Sequence, residues 1–456
     1  MRARQTDFSH GSVKKNILQV MLPMMVAQLL NLLYNIVDRM YIGQMKGAGT
    51  KALSGLGLCF PILMFVTAFA NLVGSGGSPL CAMERGKGDR KEAEKIMCNS
   101  FHLLILLGIA LTAAGLLFHR PLLYLFGASD AIYPYARDYI MIYLCGSIFV
   151  MIALGMNPFI NSQGFARTGM LTVLLGAVTN IALDPVFIFV FGWGVRGAAL
   201  ATILSQFLSA LWVIRFLTRG PAELKLRVSG MRLKAQRVKK ILSLGMAGFV
   251  MSCTNSAVQA ACNSMLQTFG GDLYIGVMTV VNSIREIAQT PAMAMGDGAS
   301  PVMSFNYGEG QYGKVKEGIR FMTVLTVVYL AAMWLVLFLF PKPFISIFNR
   351  DPKLVDAAVP CLHLYFFGFF MMAFQVAGQS VFKSLGKARQ AVFFSLFRKI
   401  IIVVPLTFLL PRVAGLGVTG VFLAEPISNF IGGAACFITM CATVLPELRI
   451  DKGRTL

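Results

Sequence analysis

The chain has 456 residues, 56% hydrophobic and 13% charged, with a formal net charge of +21. A soluble domain carries about 25% charged residues, so an ordinary water-soluble fold is excluded. In a soluble protein the basic excess would suggest a nucleic-acid partner. Here it collects in alternate loops between apolar runs, so it reads as membrane topology with no nucleic acid bound.

Apolar runs long enough to cross about 30 Å of hydrocarbon as helices recur along the whole length. They predict spans over residues 16–42, 52–76, 94–118, 132–155, 168–191, 196–217, 240–268, 274–298, 318–340, 355–382, 390–411 and 416–443. The expected fold is an all-α integral membrane protein with twelve transmembrane helices. Between the sixth and seventh spans Arg215, Arg219, Lys225, Arg227, Arg232, Lys234, Arg237, Lys239 and Lys240 stand against a single acid, Glu223. That bias assigns the connection to the cytoplasm. Loop 77–93 (Arg85, Lys87, Arg90, Lys91) and loop 305–317 (Lys314, Lys316) agree. Lys46 and Lys51, and Lys342, Arg350 and Lys353, dilute the asymmetry without reversing it. Both termini are then expected on the cytoplasmic side of the plasma membrane. Nine cysteines lie mostly inside apolar runs with no CxxC motif. They read as buried thiols, so no disulfide framework and no cofactor are expected.

The chain also repeats itself. Gly74-x-Gly76-x-Ser78-Pro79 recurs as Gly296-x-Gly298-x-Ser300-Pro301, a shift of 222. Gly86 and Gly308, Gly88 and Gly310, Tyr143 and Tyr365, Gly146 and Gly368, and Gly164 and Gly386 match at the same shift. Further on the shift is 223: Gly192-x-Gly194-Val195-x-Gly197 matches Gly415-x-Gly417-Val418-x-Gly420. Residues 1–218 and 239–456 are therefore read as two six-helix lobes, joined by a basic cytoplasmic linker over 219–238. Each copy has an even number of spans, so both face the same way, as parallel repeats in secondary transporters do.

Ionisable groups at membrane depth are costly and so are candidates for function. In the first span Gln28, Asn31, Asn35 and Asp38 fall on one helix face. Asp38, beside Arg39, also reads as a helix-end residue. In the fifth span Asn180 and Asp184 are one turn apart, and Pro185 follows; proline frees a carbonyl that an ion or water can use. By helical rise Asp184 lies roughly 24 Å from the start of its span, too deep for a short side chain to reach the surface. Asn157 and Thr202 are polar groups of neighbouring spans that could join it. In the second half Asn255, Gln259 and Asn263 form a stripe and Gln375 and Gln379 a pair, whose simplest role is helix–helix hydrogen bonding. At the 222 shift Asp38 meets Ala260, and Asp184 meets Leu406 or, at 223, Thr407, so the acid pair belongs to the first half only. Glu425 stands where the first half has Thr202. No role follows for Glu425, Arg285, Glu286, Arg398 or Lys399.

No G-x-x-x-x-G-K-[ST], HExxH or DDxxD motif is present, which argues against an ATPase and against an intramembrane enzyme. Across nearly its whole length the chain resembles the multidrug and toxic compound extrusion (MATE) family. The likeness rests on Pro23 with Val37-Asp38 and Gly43, and on the GxGxSP-x6-GxG loop of both halves. Most specific is Asn180-x-x-Leu183-Asp184-Pro185 followed by Gly194-Val195-x-Gly197-Ala198-Ala199. The resemblance implies two six-helix lobes in a V around a central cleft. It implies secondary antiport in which a proton or sodium ion enters while an organic cation or drug leaves. The family's ion-coupling site falls on Asp38, Asn157, Asn180, Asp184 and Thr202, with sodium at Asp38 and Asp184 the only metal ion in view. Gln28, Asn31, Asn35, Asn255, Gln259, Gln375 and Met293 are the candidate cleft residues, in a chain expected to act as a monomer in the bilayer. The alternative is a lipid-linked saccharide flippase or exporter of related two-lobed architecture; the embedded acids favour cationic cargo.

Overall fold

The structure, a computed structural model, describes residues 5–43, 45, 49–126, 129–227, 230, 232–348, 351–413 and 415–450. The loop cations Lys46 and Arg350 lie outside the described residues, as do the side chains of Arg39 and Lys51. Every regular element among the described residues is helical. In chain order these are α1 (Val13–Gly43), α2 (Gly49–Gly86), α3 (Arg90–Leu125), α4 (Tyr133–Cys145), α5 (Ser147–Ser162), α6 (Ala166–Pro185) and α7 (Gly194–Arg219). They continue with α8 (Ala235–Gly308), α9 (Tyr312–Leu339), α10 (Pro341–Phe348), α11 (Pro352–Tyr365), α12 (Met372–Ser384), α13 (Ala388–Leu396), α14 (Val404–Leu409) and α15 (Gly417–Ile450). A π-helical turn extends α6 over Val186–Val190, and another joins α13 to α14 over Phe397–Val403.

Nine of the described helices are long and apolar enough to cross a membrane, and the bent pairs α4–α5 (57°) and α11–α12 (45°) raise this to eleven. The remaining expected span, 274–298, is the later part of α8, beyond a break at Gly271 (φ 66°, ψ −166°). Asn282, Arg285, Glu286 and Gln289 interrupt its apolar run.

The chain forms two compact units: unit 1 is Met1–His10 with Leu22–Gly245, and unit 2 is Gly11–Met21 with Met246–Leu456. Unit 1 has one apolar core through α2, α3, α4, α5 and α7, in which Tyr139 and Phe159 are buried. Unit 2 has its own through α8, α9, α11, α12 and α15, around Phe366, Phe369 and Phe422. Each unit thus buries its apolar helix faces around its own core, as a separate packed body does.

The repeat is carried by the backbone. Gly88 and Gly310, Gly164 and Gly386, Gly192 and Gly415, and Gly194 and Gly417 all have φ between 48° and 87°, a left-handed conformation that side-chain-bearing residues rarely adopt. Other glycines, the matched pair Gly76 and Gly298 among them, let helices cross closely. Inside unit 1 a Cβ on Gly76 would sit 2.1 Å from the Ile241 carbonyl oxygen, and one on Gly245 would sit 1.7 Å from that of Leu72. Inside unit 2 a Cβ on Gly298, the counterpart of Gly76, would sit 2.5 Å from Met21 Cα.

The basic connection between α7 and α8 is fastened to unit 1. Asn99 Nδ2 donates to the carbonyls of Gly230 (2.9 Å) and Arg232 (3.1 Å). Glu223 takes Arg85 at 3.0 Å and Arg90 at 2.8 Å, and Glu92 takes Arg237 through two bonds of 2.5 and 2.6 Å.

Candidate functional site

In unit 1 α6 and α7 pack against each other, joined by a short connection around Gly192. Short connections make antiparallel neighbours, and Asn180 and Thr202 stand about equally far on either side. Asn180 Nδ2 accordingly donates to Thr202 Oγ1 and to Asp184 Oδ1, each at 3.4 Å. The Thr202 hydroxyl donates in turn to the Ala198 carbonyl at 3.0 Å. From α1, Asp38 comes near enough to Asp184 for the two carboxyls to act on each other's charge. All four side chains are buried, Asp184 completely. Asp184 Oδ2 and Asn180 Oδ1 have no hydrogen-bond donor among the described residues. An orphaned buried acceptor costs about 1–3 kcal/mol, which a proton or a small cation would relieve.

Two tyrosines complete this site. Tyr34 lies within reach of the charge of both acids, and Tyr139 lies within reach of that of Asp38 and beside Thr202. Tyr34 precedes Asp38 by one helical turn, a spacing the sequence displays; nothing local points to Tyr139. Asn157 is engaged elsewhere: its Nδ2 donates to the Gly169 carbonyl at 3.2 Å, about 16 Å along α6 from Asn180 by helical rise. Of the remaining first-span stripe, Gln28 is half-buried while Asn31 and Asn35 are exposed, and Asn35 Nδ2 donates to the Asn31 carbonyl at 2.7 Å.

Unit 2 buries a different cluster. Arg398 Nη2 lies 2.7 Å from Glu425 Oε1, and Lys399 Nζ lies 3.1 and 3.3 Å from the two Glu425 oxygens. Arg285 Nη1 approaches Oε1 at 3.8 Å, and Arg398 Nη1 donates to Asn429 Oδ1 at 2.8 Å. The π-helical turn is wider than an α-helical one, so the adjacent Arg398 and Lys399 can converge on one carboxylate. Beside the cluster are two adjoining cavities that share Asn255, Arg285 and Lys399 in their walls. Asn255, Gln375 and Met293 line the larger, and Asn255 and Gln259 the smaller. Gln259 is also a helix–helix tie: it receives a bond from Asn282 Nδ2 at 2.6 Å and donates to Asn263 Oδ1 at 3.0 Å. Gln375 donates to the Phe394 carbonyl at 3.4 Å, and Gln379 to Ser395 Oγ at 3.1 Å. Among the described residues no three His, Cys, Asp or Glu side chains come together in a group that could hold a metal ion.

Comparison with known proteins matches these halves to one family. A model described as MatE covers residues 23–186 and again 248–409. The chain is 24% identical to the FAD transporter of Shewanella oneidensis, over 94% of this chain and 95% of that protein. It is also 24% identical to the multidrug export protein MepA of Staphylococcus haemolyticus, over 98% and 97% of the two chains. Among solved structures, a MOP superfamily transporter from Pyrococcus furiosus superimposes with a TM-score of 0.91 at 23% identity, over 98% of this chain and 99% of that one.

Proposed function

Because the chain belongs to the MatE family of transporters, we propose that it is a secondary antiporter. It exports drug-like organic molecules, organic cations among them, in exchange for protons or sodium ions. The observation that carries this reading is the buried meeting of Asp38 and Asp184. Two adjacent carboxylates away from water repel each other and lack solvation, so the doubly charged state is costly. A proton on one of them removes the repulsion. So does a sodium ion between them, for which Asn180 Oδ1 and Thr202 Oγ1 are hard oxygen donors.

Ion binding and helix position are linked by where the acids stand. Asp38 is on α1 and Asp184 on α6, so neutralisation lets the two helices close and ionisation drives them apart. Pro185 and the π-helical turn after it leave α6 able to yield there. If cargo affinity differs between the two arrangements, ion and cargo are coupled by that difference. The chain has no P-loop, which supports an ion gradient as the energy source. The names of the relatives, a multidrug exporter and an FAD transporter, support an organic cargo. The basic loops 77–93 and 215–240 support cytoplasmic termini in this multi-pass protein.

The test is efflux of ethidium from proteoliposomes of the full chain, with proton and sodium gradients imposed separately. One gradient should drive accumulation against the ethidium gradient. Ethidium movement indifferent to both gradients would identify a passive pathway and end the antiport reading.

A further inference from the structure

The charge cluster of unit 2 has an excess that its single acid does not balance. Among the described residues Arg285, Arg398 and Lys399 surround Glu425 alone. Arginine keeps its proton throughout the accessible pH range, so the two guanidiniums by themselves outnumber the carboxylate. A buried charge left uncompensated costs several kcal/mol, so a purely structural network would be expected to come out even. Of the neighbouring acids, Glu286 acts on Arg285 only from an exposed position, and Asp297, in the wall of the larger cavity, pairs with Lys383 at 3.9 Å.

The excess faces space. Arg285 and Lys399 line both adjoining cavities, and Arg398 lines the larger. Arg285 is the least engaged of the three: Glu425 is 3.8 Å away, and its Nε has no acceptor among the described residues. Gln375, 8% exposed, lines the same cavity and carries an Oε1 that receives no hydrogen bond among the described residues. Met251, Met293 and Met372 supply an adaptable apolar lining. The cations belong to this unit alone. At the repeat shift Arg285 meets Leu63, and Arg398 and Lys399 meet Gly176 and Ala177 at 222, or Leu175 and Gly176 at 223.

Resting on the exporter reading above, we propose that this cavity is an anion subsite for cargo. It takes a carboxylate or phosphate carried by an organic molecule, docked on Arg285 and flanked by Lys399 and Arg398. Gln375 accepts a hydrogen bond from the same molecule, and the methionines meet its apolar part. The preferred cargo is then an acidic or zwitterionic amphiphile, and a bare organic cation uses only the apolar lining.

The full chain is purified in neutral detergent, and binding of carboxyfluorescein and of ethidium is measured by fluorescence anisotropy. Arg285→Gln spares the close contacts of Arg398 and Lys399 with Glu425. It should weaken carboxyfluorescein roughly tenfold, as loss of a hydrogen bond to a charged group does, with ethidium changed less than about twofold. Glu425→Gln removes the competing acid and should tighten carboxyfluorescein. Equal changes for both probes, or none for carboxyfluorescein in either variant, overturn the subsite. Displacement of the probe by phosphatidylglycerol assigns the acidic group to a lipid headgroup; displacement by succinate alone assigns it to a soluble cargo. Efflux in phosphatidylcholine vesicles separates the two readings. If neither probe is exported but Arg285→Gln still loosens carboxyfluorescein, the exporter reading fails and the subsite stands. If ethidium is exported and carboxyfluorescein binds wild type and Arg285→Gln alike, the reverse holds.

Discussion

Unit 1 and unit 2 share four matched pairs of left-handed glycines, yet beside the fifth span of the repeat they bury charge of opposite sign. Unit 1 sets two acids side by side, Asp38 and Asp184. Unit 2 sets three cations around one acid, Glu425. In both, a π-helical segment of the fifth span of the repeat lies at or next to the charged residues, where helix geometry is already relaxed. The difference separates two kinds of constraint. The matched glycines, at positive φ or, like Gly76 and Gly298, at a close helix crossing, are demanded by the backbone, so both copies have them. A buried charge is demanded by no helix, so each copy can bury whatever its task needs. An acid pair suits a small cation that comes and goes; a basic cavity suits the acidic part of a larger molecule.

The largest expected effect breaks the comparison at Glu425. Glu425→Ala leaves Arg398 and Lys399 buried without their acid and should cost about 3–5 kcal/mol, read as a large fall in the thermal midpoint in detergent. Thr202→Ala, at the matching position of unit 1, removes one neutral hydrogen bond and should cost only about 1 kcal/mol. Equal midpoints for the two variants would mean that the unit 2 cluster is solvated, and the contrast in buried charge would disappear.

The next effect falls on coupling. Asp184→Asn and Asp38→Asn each remove one carboxyl from the pair while keeping its size. Each should lower gradient-driven ethidium accumulation by roughly a hundredfold, the upper end of ordinary coupling energies, with folded protein still present in the membrane. Undiminished accumulation in Asp38→Asn would take the acid pair out of the mechanism and leave unit 1 without its distinguishing task.

Much of this was legible in the sequence, for reasons that differ by residue. Apolar runs and the shift of 222 to 223 gave the all-helical fold and its duplication, because both follow from length and spacing. The bends inside the expected spans 132–155 and 355–382 were invisible to hydropathy, since the apolar runs continue through them. They fall at Gly146 and at Gly368, which has φ 73°, a matched pair whose meaning is a backbone break. Asn180 with Thr202, and Arg398 with Glu425 and Asn429, pair across short antiparallel connections and could have been read by counting from the turn. Asp38 with Asp184 could not, because no local geometry joins residues so far apart; only the family resemblance linked them. Asn157 shows the limit of residue type alone: its amide serves the Gly169 carbonyl.

The smallest effects test the shared half of the comparison, the close crossings. Gly76→Ala in unit 1 and Gly298→Ala in unit 2 would each place a methyl group against backbone atoms, 2.1 Å from the Ile241 carbonyl oxygen and 2.5 Å from Met21 Cα. Backbone on both sides cannot swing away as a side chain can, so each helix must shift, at about 1–3 kcal/mol. Gly313, in the first turn of α9, has nothing within 4 Å of its would-be Cβ. Gly313→Ala gains helix propensity of up to about 1 kcal/mol and should hold or raise the thermal midpoint. If the first two substitutions behaved like Gly313→Ala, the helices would not cross as closely as Gly76 and Gly298 require. The glycines would then be shared between the units for their φ angles alone, and the common scaffold would rest on the turns rather than on the crossings.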